Sequence, residues 1–278
     1  MCFLTPNGQF LARVTGRVNG NVLLRRRQYR FADDHNWSLN LSKVMIGGKI
    51  LNSRKILDRF RRDHLQMIQD IDNYKRIASL LDNDRYNVSK CEKMDTLRGV
   101  EGDAANAYFS LFGQMITSKE NIFAFNGRNR RPPKDPTNCL LSFVYTLLAH
   151  ECQSALETVG LDPYVGFMHT DRPGRISLAL DIMEEFRGYL ADRLVLSLIN
   201  RGQVTANDFI ENGQENIIMT DSCKKTVLSA WQKRKKETIT HPYLKENVYV
   251  GLLPYIQAML LARYIRGNLD GYPVFIIQ

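Results

Sequence analysis

The run from Thr137 to Val159 constrains the fold more than any other stretch. It is apolar through Leu140, Leu141, Phe143, Val144, Leu147 and Leu148, with Tyr145 and His150 among them. That spacing is helical, and so long an apolar helix needs other elements to cover it. Gly160 stands where such a helix ends. Ahead of it, Asn126–Pro136 is a loop by composition, with three prolines and a cluster of basic side chains. A lone histidine such as His150 on this element reads as a core residue.

The same period recurs along the chain. Trp37–Leu81 reads as two helices. The first carries Val44, Ile46, Ile50, Leu51, Ile56, Leu57 and Phe60, broken locally at Gly47-Gly48. The second carries Ile68 to Leu81 and breaks at Asp82-Asn83-Asp84. Met94–Met115 is the next helix, Ser177 is placed to cap another that runs to Ile199, and Tyr249–Arg266 is the last before a tail at Gly267–Gln278. Residues 1–18 differ: Cys2–Leu4 and Phe10–Val14 flank Pro6-Asn7-Gly8, which is hairpin chemistry. The expected fold class is mainly α, with a short β segment in front.

A chain of 278 residues can bury a substantial core. No run of eighteen apolar residues and no signal-type N-terminus is present, which predicts a cytoplasmic protein. The five cysteines are scattered without C-x-x-C spacing, so neither a zinc knuckle nor a disulfide framework is indicated. The net charge of +9 favours polyanions as partners. Arg25-Arg26-Arg27, Arg128 and Arg130-Arg131 read either as phosphate contacts or as solvated faces. Lys233-Arg234-Lys235-Lys236 beside Trp231 reads the same two ways.

The chemistry-bearing stretch is His169–Arg187, H-T-D-R-P-G-R-I-S-L-A-L-D-I-M-E-E-F-R. Asp181 and Glu184 are three residues apart on one helical face, and an imidazole with two carboxylates is a set a divalent metal can use. The alternative is a salt bridge from Glu184 to Arg187 or Arg193. Glu101, among Gly99, Gly102 and Ala104-Ala105, needs a partner too, and Arg98 is the nearest one in sequence.

Three segments carry a resemblance: R-G-V-E-G-D-A-A-N-A-Y-F (98–109), N-x-L-L-S-F-V-Y-T-L-L (138–148) and G-L-D-P-Y-V-G-F-M-H-T followed by S-L-A-L-D-I-M-E-E-F-R (160–187). Together, and in this order, they resemble the CRISPR-associated adaptation integrase family, in the branch of compact type I systems. The resemblance implies a metal-dependent DNA endonuclease and integrase that inserts spacer DNA into a CRISPR array. It implies metal ligands and catalytic residues at Glu101, His169 and the Asp181/Glu184 pair, with Glu184 favoured, and a nearby role for Tyr145. Mg2+ or Mn2+ suits such hard ligands, and one imidazole shifts the preference toward Mn2+. Arginines 25–27 and 128–131 would hold the DNA backbone. The implied partners are double-stranded and branched DNA (prespacer and CRISPR repeat), the small second-numbered CRISPR-associated protein and, in the family, a second copy of the chain. Residues 1–20 correspond to the last strands of the family's N-terminal β domain, most of which is expected to be missing, and residues 21–278 to its helical catalytic domain. The alternative reading is a truncated, catalytically impaired helical scaffold that binds nucleic acid.

Overall fold

A computed structural model describes residues 2–5, 10–14, 21–68, 70–129, 132–213 and 216–278. Strands β1 (Cys2–Leu4) and β2 (Phe10–Arg13) pair antiparallel, as the sequence pattern requires. The Pro6-Asn7-Gly8 turn lies outside the described residues, as do Arg130 and Arg131.

The rest is mainly helical. Helix α1 is Val22–Asp33, and Asp34 caps α2 (His35–Asp63) by accepting from the amides of Asn36 and Trp37. The expected break at Gly47-Gly48 does not occur: α2 runs straight through it. The glycine is there for packing, because a Cβ on Gly48 would collide with Val274 of the C-terminal tail. Helix α3 (Ile71–Lys90) likewise continues through Asp82-Asn83-Asp84, three helix-tolerable polar residues on the exposed side. Helix α4 is Met94–Phe112. Helices α2, α3 and α4 pack side by side.

Helix α5 (Pro136–Val159) starts with Pro136 behind the capping carboxylate of Asp135 and ends at Gly160, whose φ is +88°. It packs against α6 (Ser177–Met183) and α9 (Leu253–Ile265). The helix expected from Ser177 to Ile199 is interrupted. After α6 comes a turn at residues 184–186, then a π-helical stretch, Arg187–Asp192, and then α7 (Arg193–Asn200). Ser177 is not a cap; its hydroxyl donates instead to the Thr170 carbonyl. The final stretch is not wholly helical either. Two hairpins, β3–β4 (Phe209–Glu211 with Ile217–Met219) and β5–β6 (Thr238–Thr240 with Asn247–Tyr249), flank α8 (Asp221–Lys235). Trp231 on α8 is 3% exposed and belongs to the core, not to a basic surface.

The tail after α9 is irregular, and its end packs into the fold, with Tyr272, Phe275 and Ile277 buried. Glu185 accepts from Gln257 Nε2 (2.7 Å), the Phe275 amide (2.7 Å) and the Tyr272 hydroxyl. Asn52 donates to the carbonyls of Glu185 (3.0 Å) and Phe275 (2.8 Å) and accepts from the Ile277 amide (2.9 Å). Polar groups this deep are tolerated because they are bonded. Together they strap the tail across α2 and hold the turn at residues 184–186 against that helix. Burial raises the Glu185 carboxyl to about 7, although the Phe275 amide, Tyr272 and Gln257 pull the other way. The thiols of Cys91, Cys139, Cys152 and Cys223 are buried and free.

Candidate metal centre and nucleic-acid interface

Four elements supply the site: α4 carries Glu101, the loop after α5 carries His169, α6 carries Asp181, and the following turn carries Glu184. Arg98, one turn before Glu101, does not pair with it. Its guanidinium donates to Asp95 (2.8 Å) and to the Met168 carbonyl (2.6 Å), which ties α4 to the histidine loop.

The two acids that share a helical face in the sequence do different things. Asp181 is closed in by donors. Its Oδ2 accepts from the amides of Phe167 (2.7 Å) and Met168 (3.1 Å), and its Oδ1 from the His169 amide (3.1 Å). His169 Nδ1 lies 2.6 Å from Oδ1. A carboxylate filled with N–H donors fixes the imidazole proton on Nδ1, which leaves the Nε2 lone pair for a cation. Gly166 makes this possible: a Cβ there would stand 2.8 Å from Ser177 Cβ and 2.9 Å from Asp181 Oδ2.

Glu184 is 3% exposed and meets two cations, Arg187 at 2.8 Å and Lys49 at 2.7 Å. The salt-bridge alternative therefore holds for Arg187. Arg193 stacks on the Tyr189 ring instead. Burial alone would raise the Glu184 carboxyl, but Arg187, Lys49 and His169 bring it down to about 2. Glu101, 25% exposed, pairs with the same Lys49 ammonium. A small hollow of about 40 Å3 is lined by Lys49, Glu101, Tyr145, Glu184, Arg187 and Asp192, among others.

Behind Glu184 stands a buried aromatic and acidic support. Tyr145 and Tyr108 donate to the two oxygens of Asp192, at 2.7 and 3.0 Å. Burial raises Asp192 to about 6, against the pull of the two hydroxyls and of Arg187. Arg187 in turn lies over the Tyr145 ring at 5.2 Å. Tyr145 is thus packed beneath the carboxylates and does not reach outward to a ligand. The π-helical stretch lets Arg187 and Asp192 face this one centre.

Whether the donors fit a divalent cation is decided by Lys49. Among the described residues, no three His, Cys, Asp or Glu side chains stand close enough to share one ion as arranged. The ammonium of Lys49 occupies the position between Glu101 and Glu184. The buried Glu184 Oε2 has the Lys49 ammonium 2.7 Å away. Two carboxylates sharing one cation position beside an imidazole held by its far nitrogen form a donor set that suits a divalent ion.

Of the arginines expected on DNA, Arg25 donates to the Gly160 carbonyl and Arg27 to that of Arg266. Arg128 donates to Asn138 and Ser142 and lies over the Tyr145 ring. These three brace the fold, while Arg26 is exposed. The basic run on α8 that the sequence marked lines part of a basic trough of two adjoining hollows, about 510 and 750 Å3. Arg59, Arg193, Arg201, Lys225, Lys233 and Arg234 line it. Burial, with Arg234 and Arg59 as neighbours, pulls Arg193 below the usual guanidinium range. The sequence marked the α8 residues, whereas Arg59 on α2 and Arg193 and Arg201 in and just after α7 belong to no basic run. Lys49 did carry a signal. It shares a helical face with Met45, Asn52 and Ile56, all buried, and a charge on a core-facing stripe needs a reason.

Comparison with known proteins gives the family. The family model for CRISPR associated protein Cas1 matches residues 1–233. A CRISPR-associated endonuclease Cas1 of Chlorobaculum tepidum is 51% identical over 274 residues, covering 99% of this chain and 80% of the relative. A casposase bound to its integration product shares the fold, with a TM-score of 0.84 at 24% identity, covering 98% of this chain and 72% of the casposase. The Cas6-RT-Cas1–Cas2 complex superposes with a TM-score of 0.83 at 25% identity, over 100% of this chain and 29% of the complex chain. No helix among the described residues is long and apolar enough to cross a membrane. With this fold, and with half its residues identical to a curated Cas1 endonuclease, the chain belongs to the Cas1 family of CRISPR-associated proteins.

Proposed function

We propose that the chain is a metal-dependent DNA endonuclease and integrase that inserts spacer DNA into a CRISPR array. One observation carries the site assignment. Glu101 and Glu184, 83 residues apart in sequence, converge on a single cation position, and His169, held by Asp181, lies near enough to Glu184 to help lower its carboxyl. Glu101, Glu184 and His169 Nε2 would hold Mg2+ or Mn2+, with Asp181 orienting the imidazole rather than ligating. The bound ion would supply Lewis-acid stabilisation of the charge that develops on the scissile phosphate.

The reaction is a phosphoryl transfer: a DNA 3′-hydroxyl attacks a phosphodiester and expels another 3′-hydroxyl. No protein nucleophile is required. The chain's part is positioning and electrostatics. Arg187, clamped by Glu184 and stacked on Tyr145, keeps the buried carboxylate in one rotamer. The basic trough would take the DNA backbone without reading sequence, so binding should weaken steeply with salt. Branched DNA as substrate and Cas2 as partner are supported by the casposase and Cas2-bound neighbours.

The test is resolution of branched DNA bearing a preformed integration junction, in Mn2+, by the parent chain and by Glu101→Ala and Glu184→Gln. Turnover by the parent alone is expected. DNA binding with no turnover by any of the three would leave only a nucleic-acid-binding scaffold.

A further inference from the structure

The ammonium of Lys49 sits where the two carboxylates converge, and Glu184 does not depend on it for charge balance. Arg187 already stands 2.8 Å from the other Glu184 oxygen. Lys49 reaches this place from a core-facing position of α2 and is only 12% exposed. Its Nζ pairs with Glu101 and lies 2.7 Å from Glu184 Oε2. The Glu101 and Glu184 carboxylates face two cations, Lys49 and Arg187, so this pair is neutralised without any metal. A divalent ion and the ammonium cannot both occupy the gap between Glu101 and Glu184.

We infer that Lys49 is a built-in competitor for the metal: it holds Glu101 and Glu184 in the metal-free protein and must withdraw for a divalent cation to bind. This rests on the metal site proposed above. Lysine suits the task, because its charge rides on a flexible four-carbon stem and its ammonium is readily hydrated once it leaves. An arginine anchored in the fork geometry of Arg187 would not move as freely. The consequence is a loading penalty. The apparent affinity for metal is reduced by the free energy of removing Lys49, and anything that gives the displaced ammonium a new partner restores it. A DNA phosphate entering beside the metal is such a partner, so metal and DNA would bind with positive coupling.

The experiment is calorimetric titration of Mn2+ into the full chain without DNA, for the parent, Lys49→Met, Lys49→Arg and Glu184→Gln. Lys49→Met, which keeps the bulk and removes the charge, should bind Mn2+ at least about tenfold more tightly than the parent, and Lys49→Arg no more tightly. A lysine that merely props up the site predicts the opposite, weaker binding by Lys49→Met. A second reading uses the unaltered protein and so survives any folding defect of the variants. An amine-reactive reagent followed by mass spectrometry should label Lys49 slowly in EDTA and faster in Mn2+. If Glu184→Gln loses Mn2+ while Lys49→Met binds no more tightly and Lys49 labelling ignores Mn2+, the competitor role is overturned and the metal site stands. If Glu184→Gln binds Mn2+ like the parent, the metal lies elsewhere and both ideas fall.

Discussion

Asp181→Asn is the substitution whose outcome the geometry specifies most closely. The carboxylate accepts two donors on each oxygen: the amides of Phe167 and Met168 on Oδ2, the His169 amide and Nδ1 on Oδ1. An amide in its place turns one oxygen into a donor. If the NH2 lies at Oδ2, two buried amides lose their acceptor. If it lies at Oδ1, only the His169 amide does, provided the imidazole moves its proton to Nε2 so that Nδ1 can accept. The second arrangement is the cheaper one. Its cost is one unsatisfied buried N–H plus the weakening of the charge-assisted bonds that remain, about 2–4 kcal/mol in total. The functional cost is separate: a proton on Nε2 occupies the lone pair a metal would use. Loss of such an orienting partner typically lowers metal affinity about 10–100-fold. Urea denaturation reads the first effect and Mn2+ calorimetry the second, at a temperature where the variant is folded. A folded Asp181→Asn chain with parental Mn2+ affinity would refute the reasoning, because His169 would then not be oriented through Asp181.

Glu185 makes stability depend on pH. Its folded-state value, about 7, lies above the ordinary 4.5, so its contribution is complete below pH 4.5 and is lost as pH rises through 7. The loss amounts to about 3 kcal/mol, and Glu185→Gln should flatten that part of a denaturation series between pH 4.5 and 7.5. Asn52→Ala removes three buried bonds to the backbone of residues 185, 275 and 277, at a cost of about 3 kcal/mol. Hydrogen exchange at residues 272–277 should rise with it, and unchanged protection would show that the tail is held by packing alone. Tyr145→Phe deprives the buried Asp192 of one donor and should destabilise the fold by about 1–3 kcal/mol by urea denaturation.

The helical class and the extent of α5 were legible because apolar spacing, the proline-rich segment before it and Gly160 after it are local signals. The limits of that reading are also local. Gly47-Gly48 looked like a break, yet it is the tail, more than 220 residues later, that requires Gly48. Three-residue strands such as β3 and β5 carry too little alternation to be seen. At the site, the motifs pointed to Glu101, His169 and the Asp181/Glu184 pair, with Glu184 favoured, but gave Asp181 no separate task. Spacing puts them on one face but cannot show that the amides of Phe167–His169 close over the first. Arg25, Arg27 and Arg128 were read as DNA contacts from their charge, and sequence does not show the carbonyls and side chains they also bind within the fold. Lys49 went unread, although a charge on the buried face of Met45, Asn52 and Ile56 was a signal the pattern contained.

The central claim is that Glu101, His169 and Glu184 hold one divalent ion that displaces Lys49. Anomalous diffraction from crystals grown with Mn2+ tests it directly. The account predicts a single strong peak within bonding distance of Glu101, Glu184 and His169 Nε2, with Asp181 still on Nδ1 and the Lys49 ammonium moved out. A peak on other residues, or Lys49 still seated between the two carboxylates in saturating Mn2+, would contradict it.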